Sequence, residues 1–109
     1  MATNFSKKDM IKLQNLLRKS KKTITTAESC TGGLVASMIT KISGSSDIFN
    51  GSIVTYSNSI KNKELDVLNE SLDKFGAVSK QVVSEMLDGV LRKFEADFAI
   101  AISGIAGPN

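Results

Sequence analysis

The chain has 109 residues, of which 41% are hydrophobic and 23% charged, and its formal net charge is +3. This balance indicates a folded globular domain and argues against a disordered chain. The chain has no histidine and one cysteine, Cys30, which excludes a Ser-His-Asp triad, an internal disulfide and the usual zinc ligand sets. We therefore expect no metal and no cofactor, and a nucleophile would need lysine, tyrosine or a carboxylate as its base.

The N-terminal residues carry most of the positive charge. Residues 1–22 hold seven lysine or arginine residues and one aspartate. A basic first helix can contact nucleic acid or an acidic partner, but no aromatic side chains lie between the lysines, so a solvated helix face is favoured. The segment MATNFSKKDM lacks a signal-peptide core, and no apolar run is long enough to cross a bilayer. Together with the single cysteine, this predicts a cytoplasmic protein without membrane association.

The hydrophobic pattern alternates between helical and strand-like segments. Ser6 and Asp9 resemble a capping box before the first helix, and Ser79 is placed to cap the longest one. Residues 69–77 read as irregular. The predicted elements, in chain order, are a helix at 6–20, a strand at 23–27, a helix at 32–42, a strand near 52–57, a short helix within 59–68, a long helix at 80–95 and a strand at 97–103.

This order, α-β-α-β-α-α-β, predicts a layered α/β fold with crossover helices in one domain over residues 1–109. In such sheets the loops that leave the carboxyl ends of the strands build the ligand site. Three such loops exist, with the sequences ESCTGG, YSNSIK and SGIAGPN. They are also the stretches richest in small and polar residues, which favours a site where they meet.

The first loop combines a hydroxyl, a thiol and two glycines where a strand gives way to a helix. Free amides at such a turn attract anions, and Gly32 and Gly33 let a ligand approach the backbone. Ser29 is a candidate nucleophile, although Ser29 or Thr31 could simply cap the helix. Cys30 is a rival nucleophile, but neighbouring residues of an extended segment face opposite sides, so we expect Cys30 in the core.

The second loop supplies Tyr56, Asn58 and Lys61. To act as a base, Lys61 needs a pKa lowered from about 10.4 towards 7, which burial in a closed pocket can achieve. Tyr56 could relay a proton or orient the lysine. The alternative is that Lys61 is an ordinary surface lysine. Lys63, two residues later, is a natural control.

Glu28 and the third loop complete the candidate site. Glu28 could orient the nucleophile or accept a substrate hydroxyl, or it could form a salt bridge with a lysine. The third loop contributes Ser103 and Gly104, while Gly107 and Pro108 shape a turn.

Taken together, the three loops resemble the CinA C-terminal domain family of competence- and damage-inducible proteins. AESCTGG, VTYSN and GIAGP at this spacing form a specific signature, and the match runs from near the first helix to the last residue. The matching stretches are TTAESCTGGLVASMIT, SGSSDIF, GSIVTYSNSIKNKEL, FGAVSKQVV and DFAIAISGIAGP.

The resemblance implies a metal-independent amidohydrolase that converts nicotinamide mononucleotide to nicotinic acid mononucleotide and ammonia, a step of pyridine nucleotide salvage. The family's serine nucleophile, lysine and tyrosine correspond to Ser29, Lys61 and Tyr56. The amides near Cys30 and Thr31 would form an oxyanion hole. The phosphate candidates are Thr31, Gly32, Gly33, Ser45 and Ser46. The full expected substrate-binding set is Glu28, Cys30, Thr31, Gly32, Gly33, Ser45, Ser46, Asn58, Ser103 and Gly104.

Family domains continue beyond GIAGP with a glycine-rich loop and further strand and helix. The resemblance therefore implies a partial domain whose strand at 97–103 presents an unpaired edge, and we expect a homo-oligomer. Two alternatives to the enzyme stay open, a non-catalytic nucleotide- or phosphate-binding module and an interaction protein that uses its basic first helix.

Overall fold

A computed structural model describes residues 5–104 of the chain. The described elements are α1 Lys7–Ser20, β1 Ile24–Glu28, α2 Leu34–Thr40, a 3-10 turn Ser45–Asp47, β2 Ser52–Val54, α3 Asn58–Leu65, α4 Asn69–Phe75, α5 Lys80–Phe94 and β3 Phe98–Ile102. The predicted capping box is confirmed, because Ser6 accepts a hydrogen bond from the Asp9 amide while the Asp9 carboxylate accepts one from the Ser6 amide. Ser79 caps α5 through the Val82 amide, as predicted.

The prediction that residues 69–77 are irregular is wrong, because they contain α4. The N-cap residue of α4, Leu68, provides no side-chain capping hydrogen bond. Instead Glu85, on α5, accepts hydrogen bonds from the Leu68 amide and the Ser71 hydroxyl. Glu85, seventeen positions after Leu68, thus accepts the hydrogen bond from the free amide at the start of α4. Local sequence rules could not detect this cap.

The three strands form a parallel sheet in the order β2-β1-β3, which confirms the predicted α/β class. β1 is the central strand, and all five of its residues are buried. Glu28 is in register with Val54 on one side and Ile102 on the other. The carboxyl ends of all three strands therefore meet at one edge of the sheet.

Successive side chains of β1 point to opposite faces of the sheet, so the core consists of two clusters, one on each face. Ile24 belongs to the cluster with α1 and α2, and Ala27 belongs to the one with α3, α4 and α5. The first cluster contains Met10, Leu17, Ile24, Ile39 and Ile48. The second contains Ala27, Leu65, Val67, Leu72, Val82, Met86 and Val90. The sheet thus lies between two helical layers, as expected for parallel strands.

Within residues 5–104, β3 has no neighbouring strand on its outer side, as predicted. Phe98 is 51% exposed and Leu16 of α1 is 61% exposed. Both line a groove of about 480 Å³ between α1 and β3. The homo-oligomer stays a prediction. Among the described helices, none combines the length and apolar character needed to cross a membrane.

Gly89 allows α5 to approach the end of α3 closely. A Cβ atom at this position would lie 2.0 Å from the carbonyl oxygen of Leu65, which real structures do not tolerate. Both residues are buried, and Leu65 ends the helix that carries Lys61. The absence of a side chain at Gly89 therefore sets the position of α3 in the sheet's helical layer.

We predict that Gly89→Ala destabilises the protein by about 2 kcal/mol or more, because the clash outweighs the gain of roughly 1 kcal/mol that alanine usually brings to a helix. Urea unfolding followed by circular dichroism measures this difference. Ser84→Ala, at an exposed position of the same helix, is the matched control and should change stability by less than about 0.5 kcal/mol. Equal stability of the two variants would contradict the close-approach explanation.

Candidate active site

Main-chain hydrogen bonds hold the three loops together at the carboxyl edge of the sheet. The Ser29 amide donates to the Ile102 carbonyl at 3.0 Å, and the Thr55 amide donates to the Glu28 carbonyl at 2.7 Å. The parallel ladder thus continues past the last residue of β1 on both sides. Ser29 is placed between the loops that follow β2 and β3, as the sequence predicts.

Lys61 and Ser29 meet at this edge. The Nζ atom of Lys61 lies 3.5 Å from Oγ of Ser29 and donates to the Thr55 carbonyl at 3.0 Å. Ser57 begins α3 by accepting a hydrogen bond from the Ile60 amide, and Leu65 anchors the other end in the core. Lys61 therefore points inward from the first turn of a helix that is fixed at both ends.

Burial gives Lys61 unusual chemistry for a lysine. Lys61 is only 2% exposed. This burial lowers its pKa below the ordinary value of 10.5. Removing an ammonium group from water disfavours the charged form. Lys63, on the same helix, is exposed. The two lysines thus occupy different faces of α3, and of the two it is Lys61 whose Nζ lies 3.5 Å from Oγ of Ser29.

Glu28 is fully buried and accepts four hydrogen bonds. Thr26 and Thr31 donate their hydroxyls at 2.8 Å each, and the Val35 and Ala36 amides donate at 2.9 Å each. Glu28 is therefore neither exposed to a substrate hydroxyl nor paired with a lysine, which corrects two of the three sequence-based expectations. Its carboxylate joins β1 to the first turn of α2.

Two opposing effects act on the pKa of Glu28. Burial by itself raises that pKa, but the hydrogen bonds from Val35, Thr31, Ala36 and Thr26 outweigh burial and lower it below the ordinary 4.5. The carboxylate is therefore ionised at neutral pH, because its four donors replace water. As a consequence, the amides that open α2 already have an anionic partner, so they are not free to hold a phosphate.

The turn between β1 and α2 depends on two glycines with positive φ, Gly32 at 62° and Gly33 at 102°. This is the left-handed region that glycine enters without strain. The Gly32 amide donates to the Ser29 carbonyl, which closes the turn. Within residues 5–104, the amides of Cys30 and Thr31 have no hydrogen-bond partner. The oxyanion hole that the sequence analysis assigns to these two amides stays a prediction.

Cys30 lies at the surface of the site instead of in the core. It is half-buried, and its Sγ would lie 3.1 Å from a Cβ atom placed at Gly104. The expectation of a core cysteine is wrong, because Cys30 is only half-buried and belongs to neither core cluster. Ser103 has a structural role, since its hydroxyl donates a hydrogen bond to the Ala77 carbonyl at 2.7 Å. Gly107 and Pro108 lie outside the described residues.

Several predicted site residues are not brought to the Ser29–Lys61 pair. Ser45 and Ser46 lie at the opposite edge of the sheet, because the turn that holds them leads into Ile48, whose carbonyl accepts from the Ile24 amide at the start of β1. This separates them from Ser29 and corrects their assignment as phosphate ligands of the same site. By contrast, Tyr56 and Asn58 lie in the segment between Thr55 and Lys61, beside the pair, and both side chains are exposed, that of Tyr56 to 67%.

Thr55 is a site residue that sequence reasoning missed. Its buried main-chain carbonyl holds the Lys61 ammonium, and its amide continues the ladder to Glu28. A carbonyl group is present in every residue, so no side-chain pattern could have revealed this role. Thr26 was missed for a related reason, since its hydroxyl contacts Glu28 inside a strand that reads only as β-branched.

Comparison with known proteins gives one family. The model of the CinA C-terminal domain matches residues 7–109. A CinA-like protein of Prochlorococcus marinus (strain MIT 9312) is 61% identical over 93 residues, which are 85% of this chain and 22% of the relative. A CinA-like protein of Thermotoga neapolitana is 50% identical over 94 residues, which are 86% of this chain and 23% of the relative.

Solved structures agree with this comparison. The competence/damage inducible protein CihA from Agrobacterium tumefaciens superposes with a TM-score of 0.93 at 38% identity and covers 100% of this chain and 66% of its own. A CinA superfamily protein from Escherichia coli has a TM-score of 0.91 at 34% identity and covers 99% of this chain and 63% of its own. The chain thus spans less than a quarter of the first relatives' length and about two thirds of the solved chains.

We predict that Glu28→Gln lowers the free energy of unfolding by about 2 to 4 kcal/mol at pH 7, because an amide cannot accept all four hydrogen bonds. Since folding lowers the pKa of Glu28, its contribution is complete above the ordinary pKa of 4.5 and is lost as the pH falls through the folded-state value. Urea unfolding at pH 7 and at pH 3 to 4 should show the difference between wild type and variant shrinking in acid.

Glu70→Gln, at an exposed position in the first turn of α4, is the control for this experiment. It should change stability by less than about 0.5 kcal/mol at either pH. A Glu28→Gln variant as stable as Glu70→Gln would contradict the role given to the buried carboxylate.

Proposed function

This chain belongs to the CinA C-terminal domain family, and we propose that it is a serine amidohydrolase that converts nicotinamide mononucleotide to nicotinic acid mononucleotide and ammonia. The observation that carries the proposal is the pairing of Ser29 with the buried Lys61 at 3.5 Å, with a lysine pKa lowered by burial. A serine becomes nucleophilic when a positioned base takes its proton. Separations in unliganded sites are often long and shorten when substrate binds.

The proposed reaction begins with proton transfer from the Ser29 hydroxyl to neutral Lys61 while Oγ attacks the carboxamide carbon. The carbonyl oxygen becomes an oxyanion, and the amides of Cys30 and Thr31 are free to stabilise it. The loss of one such donor typically slows an enzyme about 100- to 1,000-fold. The intermediate then collapses, the C–N bond breaks, and Lys61 returns the proton to the departing ammonia. An acyl ester on Ser29 remains.

Hydrolysis of the ester completes the cycle. Lys61, neutral again, accepts a proton from a water molecule that attacks the acyl carbon. The second tetrahedral intermediate releases the carboxylic acid, and the proton on Lys61 returns to Oγ of Ser29. The Thr55 carbonyl keeps Nζ in place throughout, because it accepts at 3.0 Å from a direction independent of Ser29.

The substrate is proposed to lie over the turn at 29–33, between the loops that follow β2 and β3. The amides at the start of α2 argue against a phosphate there, since Glu28 already occupies them. Ser103 and Gly104 help to shape the loop that covers Cys30. Of the expected binding residues, Asn58 is exposed at the first position of α3 and available for a polar contact.

We predict that Ser29→Ala and Lys61→Met each reduce formation of nicotinic acid mononucleotide by at least about 1,000-fold, because each removes one member of the nucleophile–base pair. Incubation of the purified chain with nicotinamide mononucleotide, followed by chromatography of the product, measures this. Lys63→Met is the matched control and should retain wild-type turnover, since Lys63 is exposed on the same helix. Saturable binding by a folded wild-type chain without product would instead support a non-catalytic binding module.

We also predict a base-limited pH profile. The neutral form of Lys61 is the active form, so kcat/KM should rise about tenfold per pH unit below the lysine pKa and level off above it. Because burial lowers that pKa, the midpoint should lie below 10.5. Steady-state rates between about pH 6 and pH 11.5 test this. A midpoint at or above 10.5, or a rate independent of pH, would contradict the role of Lys61.

A further inference from the structure

We infer that a cleft between the first turn of α1 and the end of α2 binds a small anionic amphiphile, a molecule with an aliphatic body and one carboxylate head. We call this surface the α1–α2 cleft. The lining residues that carry the inference are Phe5, Lys7, Met10, Met38, Lys41 and Ile42. None of them belongs to the Ser29–Lys61 pair or to the loops around it, so the inference goes beyond the proposed function and does not depend on it.

The α1–α2 cleft has the size and the floor of a small-molecule site. Its volume is about 410 Å³, within the range of roughly 300 to 1,000 Å³ that is usual for such sites. Met10 is 6% exposed and belongs to the core cluster on this face of the sheet, and Met38 and Ile42 pack against that cluster. Methionine side chains are flexible and adapt to aliphatic chains of varied shape. The floor therefore suits an apolar body that can bend.

The lining offers few groups that could recognise a polar body. Among the described residues that line the cleft, only Ser6, Lys7 and Lys41 have polar side chains. The Ser6 hydroxyl donates to the Asp9 carboxylate at 3.0 Å and accepts from the Asp9 amide at 3.1 Å, so the capping box of α1 already uses it. A sugar or a nucleobase would lose hydrogen bonds with water here without gaining side-chain partners. This argues for an aliphatic ligand and against a nucleotide.

Two lysines give the cleft its preference for negative charge. Lys7 and Lys41 are both exposed, and both also line an adjoining cavity of about 420 Å³. In the part of the chain that the structure describes, neither lysine forms an ion pair, since the ion pairs found there all involve other cations. Ammonium groups beside an apolar cavity attract an anionic head group and repel a cation. Because both lysines are exposed, a carboxylate bound to them keeps its contact with water.

The surroundings of the cleft reinforce this preference. Residues 1–22 hold seven lysine or arginine residues and one aspartate, and that aspartate, Asp9, is held by Ser6. Phe5, which is 49% exposed, extends the apolar lining next to Lys7. A ligand that covers this ring and neutralises cations of an acid-poor surface gains free energy from both contacts. A medium-chain fatty acid combines the two properties, and decanoate is the probe for the test.

The methionines of the chain report where the probe binds. Met10 and Met38 line the α1–α2 cleft, whereas Met86 lies in the core cluster on the opposite face of the sheet. The chain is labelled at the methionine methyl groups and titrated with decanoate below its micelle concentration, while proton–carbon correlation spectra are recorded. We expect the Met10 and Met38 signals to shift saturably and the Met86 signal to stay in place.

A pair of substitutions tests the contribution of the head group. Lys7→Gln combined with Lys41→Gln should raise the Kd for decanoate about three- to tenfold, because each exposed cation contributes a modest attraction. The uncharged analogue decanol should bind the wild type and this double variant equally. Lys63→Gln combined with Lys74→Gln removes the same charge at two exposed positions outside the cleft. This matched control should keep its Kd within about twofold of the wild type, since solvent and salt screen distant surface charges.

The inference is overturned if decanoate leaves the Met10 and Met38 signals unmoved, or if it shifts the Met86 signal to the same extent. It is also overturned if the double variant of the cleft lysines binds decanoate as tightly as the matched control. Ser29→Ala should bind decanoate like the wild type, and weaker binding by this variant would place the ligand at Ser29 and contradict the cleft. Turnover of nicotinamide mononucleotide tests the proposed function separately, so the two failures are distinguishable.

Discussion

At the carboxyl end of the central strand, the Glu28 carboxylate sits in the protein interior with four donors and no cation beside it. A buried charge of this kind is tolerated only when hydrogen bonds replace its hydration. Two of these donors are the Val35 and Ala36 amides, so the strand and the helix that follows it cannot separate without exposing an unsatisfied carboxylate. The turn at 29–33 spans this fixed junction. Its position, and therefore that of Ser29, depends on the Glu28 contacts.

Lys61 is held at the same carboxyl edge of the sheet as Glu28, but from the opposite face. The Thr55 amide pairs with the Glu28 carbonyl, and the Thr55 carbonyl holds the lysine Nζ. The two buried ionisable groups thus share one segment of main chain but lie on opposite faces of the sheet. Burial acts differently on them. Glu28 has four donors and stays charged, whereas Lys61 has few partners and is pushed towards its neutral form. Glu28 thus stabilises the fold, whereas Lys61 is available for the proposed proton transfer.

β3 is an edge strand, and it carries exposed apolar side chains away from the Ser29–Lys61 pair. Phe98 and Ile100 remain partly exposed on the sheet face next to α1, while Ala99 and Ala101 pack on the opposite face in the cluster with α5. An apolar edge strand without charged residues can pair with another strand. The Ser29–Lys61 pair is built from β1, α3 and the loop after β2, and β3 contributes only the Ile102 carbonyl, on the side that faces β1 and away from the open edge. Catalytic groups and open edge are therefore separate features of the fold.

By itself, the sequence determined the local features of this protein. Ser6 and Ser79 mark helix starts, the β-branched run of β1 marks a buried strand, and Gly32 with Gly33 marks the turn from strand to helix, because each of these depends on residues only a few positions apart. Only the tertiary structure decided the start of α4, the role of Glu28, the surroundings of Cys30 and the distance of Ser45 and Ser46 from Ser29. These depend on which groups meet across the sheet, and hydrogen-bond satisfaction between distant residues leaves no periodic trace in a sequence.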